Sequence, residues 1–215
     1  MRHAKMLMGL LVWAGTFSTV VIGQDQPGNE GFTPLFNGKD LTGFKTVLDP
    51  KASDADPAKT WVVEDGVIRC TGKPTGYFYT DGSYSNYVLR YDWRYPAGSP
   101  TSSNSGCLVH VQPPHEVWPR SVEPQGRYMD HGKLFFIKVK GMDAKFDAEA
   151  HKRAVKPMGE WNTTEITCGA DGTVSVKVNG VPVSSGKSEL TEGPIGWQSE
   201  GAEIHFRNIL LKRLG

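Results

Sequence analysis

Within residues 104–126, NSGCLVHVQPPHEVWPRSVEPQG, stand His115, Glu116, Trp118, Arg120, Glu123 and Gln125, with Arg127 just beyond. Carboxylates and imidazoles move protons in general acid–base chemistry. Guanidinium and carboxamide groups hold oxygen atoms, and an indole offers a flat apolar face to a ring. The run 107–111, Cys-Leu-Val-His-Val, has the length and β-branched content of a strand. Pro113 and Pro114 end it, because proline donates no ladder hydrogen bond. A proline-stiffened loop on a strand scaffold is where binding and chemistry concentrate. The competing reading is a solvated loop around a structural tryptophan.

The elements that must position these groups read as short strands. Residues 61–64 and 67–70 flank Asp65-Gly66, and 173–178 ends at Asn179-Gly180; both dipeptides favour hairpin turns. Residues 87–95 alternate cleanly, with Tyr87, Leu89, Tyr91, Trp93 and Tyr95 on one face and Val88, Arg90, Asp92 and Arg94 on the other. Such period-two alternation marks a strand between a packed face and a polar one. Further strand-like runs lie at 134–139, 161–168, 193–198 and 202–211, whereas 141–157 reads as a short helix or an excursion loop. Tyr77 and Tyr79 fit either a core or a groove lining. The residues at 35–44, LFNGKDLTGF, join two apolar pieces through an Asn-Gly turn. Turn signals recur about every ten residues with almost no helical period, which predicts an all-β sandwich or jelly roll of antiparallel sheets.

The chain has 215 residues and a formal net charge of +1, a balance that points to neither nucleic acid nor an anionic membrane as partner. Residues 1–5 are basic and 6–23 apolar and small, so a signal peptide over 1–23 is expected, cleaved near Gly23. The alternative is an uncleaved anchor, since the run is close to the ~18 residues of a span. A flexible lead at 24–32 and a single domain at 33–214 would follow, with no later run apolar enough to span a membrane. Cys70, Cys107 and Cys168 each sit in a strand-like run, which favours buried thiols over one disulfide and a leftover. No CxxC or HExxH occurs, so no zinc motif can be read.

Taken in order, LFNGKDLTGF, WVVEDGVIRC, the NSG turn, GEWN, the KVNG hairpin and GPIGWQSEGAEIHFRNILLKRL resemble the DUF1080 family, described as 3-keto-disaccharide hydrolase or 3-keto-glucoside lyase/hydratase domains. The likeness runs over 31–214. It implies a concanavalin-like jelly roll and an exported protein, periplasmic or extracellular. Glu123-Pro124-Gln125 matches a Glu-x-Gln pair of the family, while His110 stands where the family often has arginine.

The resemblance implies a saccharide substrate already oxidised at C3 of a glucosyl unit. The ketone acidifies the C2 proton, and the glycosidic oxygen on C1 leaves by β-elimination; adding water completes a net hydrolysis. Glu123 is the candidate base, against a rim salt bridge with Arg120 or Arg127. His131 is a candidate base or acid, against a hydrogen-bonded loop histidine. Arg207 is the candidate holder of the enolate oxygen, against a cross-strand ion pair. Gln125 and Gln198 are the candidates for contacts to sugar hydroxyls, against surface amides. His110 and His205 line the groove or are satisfied sheet histidines. Asn104 serves its turn first, and Trp118 stacks on a sugar or packs. No cofactor is called for; a divalent metal at C3 is conceivable from neighbouring His and Glu, but no spacing demands it. A retaining glycosidase of this fold would need paired carboxylates ~5 Å apart on one strand, and no Glu-x-Asp-x-Glu run exists. A non-catalytic, lectin-like carbohydrate-binding module is the second reading.

Overall fold

A computed structural model describes residues 29–139 and 144–215. The expected signal peptide and residues 24–28 of the lead lie outside the described residues. A nine-stranded antiparallel sheet runs in the order Lys145–Phe146, Val181–Lys187, Thr173–Val178, Asn162–Cys168, Tyr87–Arg94, Ile204–Arg213, Val67–Cys70, Trp61–Glu64, with Thr33–Pro34 paired to the outside of Ile204–Arg213. A second sheet packs on it, in the order Phe44–Leu48, Gly76–Thr80, Gly196–Ser199, Cys107–Leu108. Bridges at Val109–Val122 and Gly106–Gln125 extend it into the hairpin of Ser121–Pro124 and Leu134–Ile137. The all-β sandwich expected from the turn spacing is therefore present.

Alternation decides the core. Tyr87, Leu89, Tyr91 and Trp93 are fully or almost fully buried, and their sequence neighbours turn to the far side of the large sheet. Phe78, Trp197, Cys107, Val109 and Val122 meet them from the second sheet. Tyr91 and Trp197 pack edge to face at 5.9 Å, and Phe78 meets Phe206 at 6.2 Å, separations at which aromatic pairs add to plain area burial.

The two dipeptide turns form as expected: Asp65 and Gly66 have φ of 50° and 76°, Asn179 and Gly180 48° and 83°. The expected helix-or-loop region holds one short helix, Ala148–Ala154, whose N-terminus is capped by the Asp147 carboxylate accepting from the Ala150 N–H; residues 141–143 lie outside the described residues. Near the start, Asn37 makes a side-chain turn, its Oδ1 accepting from Lys39 and Asp40 N–H, rather than a strand hairpin. All three cysteines are buried free thiols. No described helix is long and apolar enough to cross a membrane.

Candidate functional site

On the second sheet the residues that alternate with the core face outward. Phe78 and Trp197 point in; Tyr77, Tyr79 and Gln198 point out, and the register sets Gln198 beside Tyr77. Val122 points in, so Glu123 points out, with Phe135 directly opposite it on the next strand. Leu108, Val111, Tyr77 and Tyr79 form an apolar cluster on this outer face, with Ile137 against it. The loop after Pro114 folds back over one end. His115 stacks on Tyr79 at 4.6 Å, and its Nδ1 lies 3.4 Å from the Tyr77 hydroxyl. The Lys138–Glu116 ion pair ties the same loop to the sheet.

Gly106 makes the centre of this face possible. A Cβ there would fall 2.0 Å from Gln198 Oε1 and 2.4 Å from Glu123 Oε1, distances at which a side chain would displace the ends of both groups. The missing side chain therefore lets a carboxyl and a carboxamide converge over one backbone position. The turn holding Gly106 is clamped: Ser105 Oγ donates to the Gln198 carbonyl at 2.8 Å, and the Gln198 N–H donates to the Gly106 carbonyl at 2.9 Å.

The electrostatics are those of a poised acid–base group. Glu123 is 7% exposed. Burial first, then the carboxylates of Glu200 and Asp130, push its carboxyl up to about 8. Gln198 is 1% exposed, and neither its Oε1 nor its Nε2 has a hydrogen-bond partner among the described residues. A buried amide left unpaired is costly, and a ligand that pairs it recovers that cost. Asn104 Oδ1 is likewise buried and unpaired, while the Asn104 side chain also hydrogen-bonds Glu200. Arg127 makes two bonds to Asp130, Nε to Oδ1 at 2.8 Å and an Nη to Oδ2 at 2.6 Å. It does not pair with Glu123, so the expected rim salt bridge is absent there; Arg120 pairs instead with Glu189 at 2.6 Å.

The other expected residues disperse. Gln125 borders the site, but its Oε1 accepts the Gly126 and Arg127 N–H groups and so serves the turn. Trp118 is 41% exposed on the loop, neither packed in the core nor stacked on an aromatic ring. Arg207 is the main correction. Phe206 points into the core, so Arg207 points to the far side of the large sheet, where Nε donates to Asp92 at 3.2 Å and the guanidinium lies 4.0 Å from the Trp161 ring. The packed core separates it from Glu123, and it is the cross-strand ion pair that was the competing reading. His205 is on that far side too, bonded to Glu203 at 2.8 Å and Arg94 at 3.2 Å. His131 is fully enclosed, stacked on Trp93 at 3.9 Å. Thr164 Oγ1 accepts from the Trp93 indole, so its own proton goes to His131 Nε2 at 2.7 Å and His131 Nδ1–H donates to the Gly126 carbonyl. Burial holds this imidazole down to about 3, and it lies behind the site with both ring nitrogens engaged by Thr164 and Gly126. His110 is buried, with φ of 56°, its Nδ1 3.0 Å from the Leu190 carbonyl and its ring edge-on to Tyr87 in the core. The residues that spacing did not single out are Phe135 and Glu200.

Residues 31–212 match the family described as the 3-keto-alpha-glucoside-1,2-lyase-like domain. The chain belongs to that family. A solved candidate glycosyl hydrolase from Parabacteroides distasonis is 26% identical, with a TM-score of 0.64 over 90% of this chain and 99% of its own. A second from the same organism is 23% identical, TM-score 0.58, over 85% and 99%. A carbohydrate binding module from Bacillus subtilis is 12% identical, TM-score 0.55, over 79% and 95%. These last two establish shared fold. No curated protein matches the chain in sequence. The family match embraces both Glu123 and Gln198, the pair that meets over Gly106.

Proposed function

We propose that this protein cleaves 3-keto-glucosides by removing the C2 proton and eliminating the C1 substituent, with or without hydration of the product. The observation that carries this reading is the convergence of a buried, high-pKa carboxyl and an unpaired buried carboxamide over Gly106. Family membership and the likeness to a candidate glycosyl hydrolase support a carbohydrate substrate. Glu123 is the base for the C2 proton. A base whose pKa sits near the operating pH balances availability against proton affinity. The Gln198 amide donates to the C3 oxygen as it becomes an enolate, a contribution of ~3 kcal/mol by analogy with a single oxyanion-hole donor. Asn104 offers an acceptor to a hydroxyl, and the exposed ring of Phe135, opposite Glu123, is a platform for a sugar face. Export fits the basic and then apolar start of the sequence, and the N-terminal residue of the mature protein tests it.

The function test supplies the purified protein with a 3-keto-glucoside and, separately, with its unoxidised parent, and follows the ultraviolet absorbance of the enone together with release of the aglycone. Cleavage of the ketone alone is the expected result. Cleavage of the parent with the ketone ignored overturns the mechanism, and binding of either sugar without turnover makes the protein a lectin-like module.

A further inference from the structure

Gln198 and Glu200 lie two residues apart on the same edge of the site, and Ser199 between them turns away, its Oγ donating to the Pro74 carbonyl at 2.8 Å. Glu200 therefore shares the outer face with Gln198 and stands close enough to Glu123 for its charge to raise the Glu123 carboxyl. Two carboxyls on one face are not by themselves a site. Gln198, almost fully buried, meets Glu123 over Gly106, and neither of its amide atoms has a hydrogen-bond partner among the described residues. The environments of the two carboxyls differ. Glu123 sits among carboxyls, facing Glu200 and Asp130, with burial dominant. Glu200 is half-buried and is also raised by burial, but it accepts from Asn104 and faces the Arg127 guanidinium, both of which favour its charged form. A single proton shared by the pair therefore rests mainly on Glu123, and the form with Glu123 ionised and Glu200 protonated is the minority form in exchange with it.

Resting on the reading given above, we propose that Glu200 is the second acid–base residue of the reaction, the one that protonates the departing glycosidic oxygen while Glu123 takes the C2 proton. The steps balance. Glu123 carboxylate removes the proton from C2, and the C–H electron pair forms the enolate with C3. The enolate collapses, the C3 carbonyl re-forms, a C1–C2 double bond forms and the C1–O bond breaks. The leaving oxygen takes the proton of the Glu200 carboxyl. For hydration the roles reverse: Glu200 carboxylate takes a proton from water as its oxygen adds to C1, and the protonated Glu123 returns a proton to C2. Arg127 and Asn104 stabilise the Glu200 carboxylate left after the first half. Arg127 is itself held by Asp130, so it is a positioning residue.

The test compares Glu200→Gln with Glu123→Gln on two 3-keto-glucosides, one with a 4-nitrophenyl aglycone and one with an alkyl aglycone, and measures exchange of the C2 hydrogen in D2O by mass spectrometry. Glutamine keeps the size of either side chain and can still bond Asn104, and circular dichroism confirms folding. In Glu200→Gln, cleavage of the alkyl substrate is expected to fall about 10²–10⁴-fold, as for loss of a positioned general acid. The nitrophenyl substrate, whose leaving group needs no proton, is expected to keep most of its rate, and C2 exchange is expected to persist on both. Glu123→Gln is expected to lose exchange and cleavage on both. If Glu200→Gln loses exchange together with cleavage, or slows the two substrates equally, Glu200 is not the leaving-group acid. If Glu200→Gln cleaves the alkyl substrate at the wild-type rate, the proposal also fails. Wild-type protein that exchanges and cleaves neither ketone fails the underlying reading instead, which separates the two failures.

Discussion

Glu123 carries the sharpest predictions at the scale of single residues. Its carboxyl is pushed up to about 8, mainly by burial, so at pH 7 most of it is protonated and the base form grows as pH rises. For a reaction limited by C2 deprotonation, kcat/KM is expected to climb tenfold per pH unit below that value and to level above it, and a flat profile between pH 6 and 9 would exclude Glu123 as base. Glu123→Gln is expected to lower kcat/KM about 10²–10⁴-fold. The same shift has a sign in stability. The folded state holds this proton more tightly than the unfolded chain, whose carboxyl titrates near 4.3, so Glu123 costs nothing at low pH. Its penalty grows as pH rises from about 4.3 and is complete above about 8. Glu123→Gln therefore trades activity for stability at pH 8, by a few kcal/mol at most, and a lower denaturation midpoint than wild type at that pH would contradict the burial argument.

Elements explain what could be read in advance and what could not. The alternation of residues 87–95 and the Asp-Gly and Asn-Gly turns carry the sandwich, because a strand with one packed face and one solvated face leaves a period-two trace in the chain. That trace identified Arg207 as alternating with a core residue, correctly, yet nothing local tells which of two sheets owns the strand. Its outer face is the far side of the large sheet, away from Glu123. Glu200 leaves no local trace in the sequence for the converse reason, since the role proposed for it depends on proximity to Glu123 across the sheet. His110 sits in a run that the sequence presents as one continuous strand; its left-handed backbone interrupts that run just after Val109, which still pairs with Val122, and sends the ring toward Tyr87. The motif residues behind the family resemblance prove largely architectural. Asn37 builds a turn, Asn208 bonds Asp92, and Asn162 bonds Asn179. The NSG turn reaches the site through Asn104 and Gly106, and the GPIGWQSEG run through Gln198 and Glu200. Gly106→Ala is accordingly expected to fold, because the atoms its Cβ would meet first are the ends of the Gln198 and Glu123 side chains. It is expected to lose at least as much kcat/KM as Glu123→Gln. An active Gly106→Ala protein would mean that the two groups need not converge. Phe135→Ala tests the neighbouring strand: loss of a sugar-stacking ring is expected to raise KM several-fold, on the order of the 1 kcal/mol of an aromatic contact, with kcat little changed.

At the scale of the whole molecule, the candidate site lies on the outer face of the small sheet, the hydrophobic core joins that sheet to the large one, and several histidines are buried neutral around it. His131 and His110 are held down to about 3 and about 4 by burial, and His151 is lowered by the same cause. Asp130 beside His131 and His151, and Glu192 beside His110, pull the other way without overcoming it. An unfolded histidine takes its proton near pH 6.5. Between that pH and about 4 the unfolded chain binds protons that the folded chain refuses, so these residues make stability fall as pH falls. Glu123 acts in the opposite direction over much of the same range and masks part of the loss. Wild-type protein is thus expected to show a modest decline in its urea midpoint from pH 7 to pH 4.5, and Glu123→Gln a steeper one. His131→Gln removes the stack on Trp93 and one buried titrating group together. It is expected to be about 1–3 kcal/mol less stable at pH 7, from a broken buried hydrogen-bond pair, but to lose less on acidification than wild type. Should the midpoint of Glu123→Gln rise between pH 7 and pH 4.5, the histidines would have to be charged in the folded state. The network in which Thr164 gives its proton to His131 while His131 holds the Gly126 carbonyl behind the site could not then exist in that form.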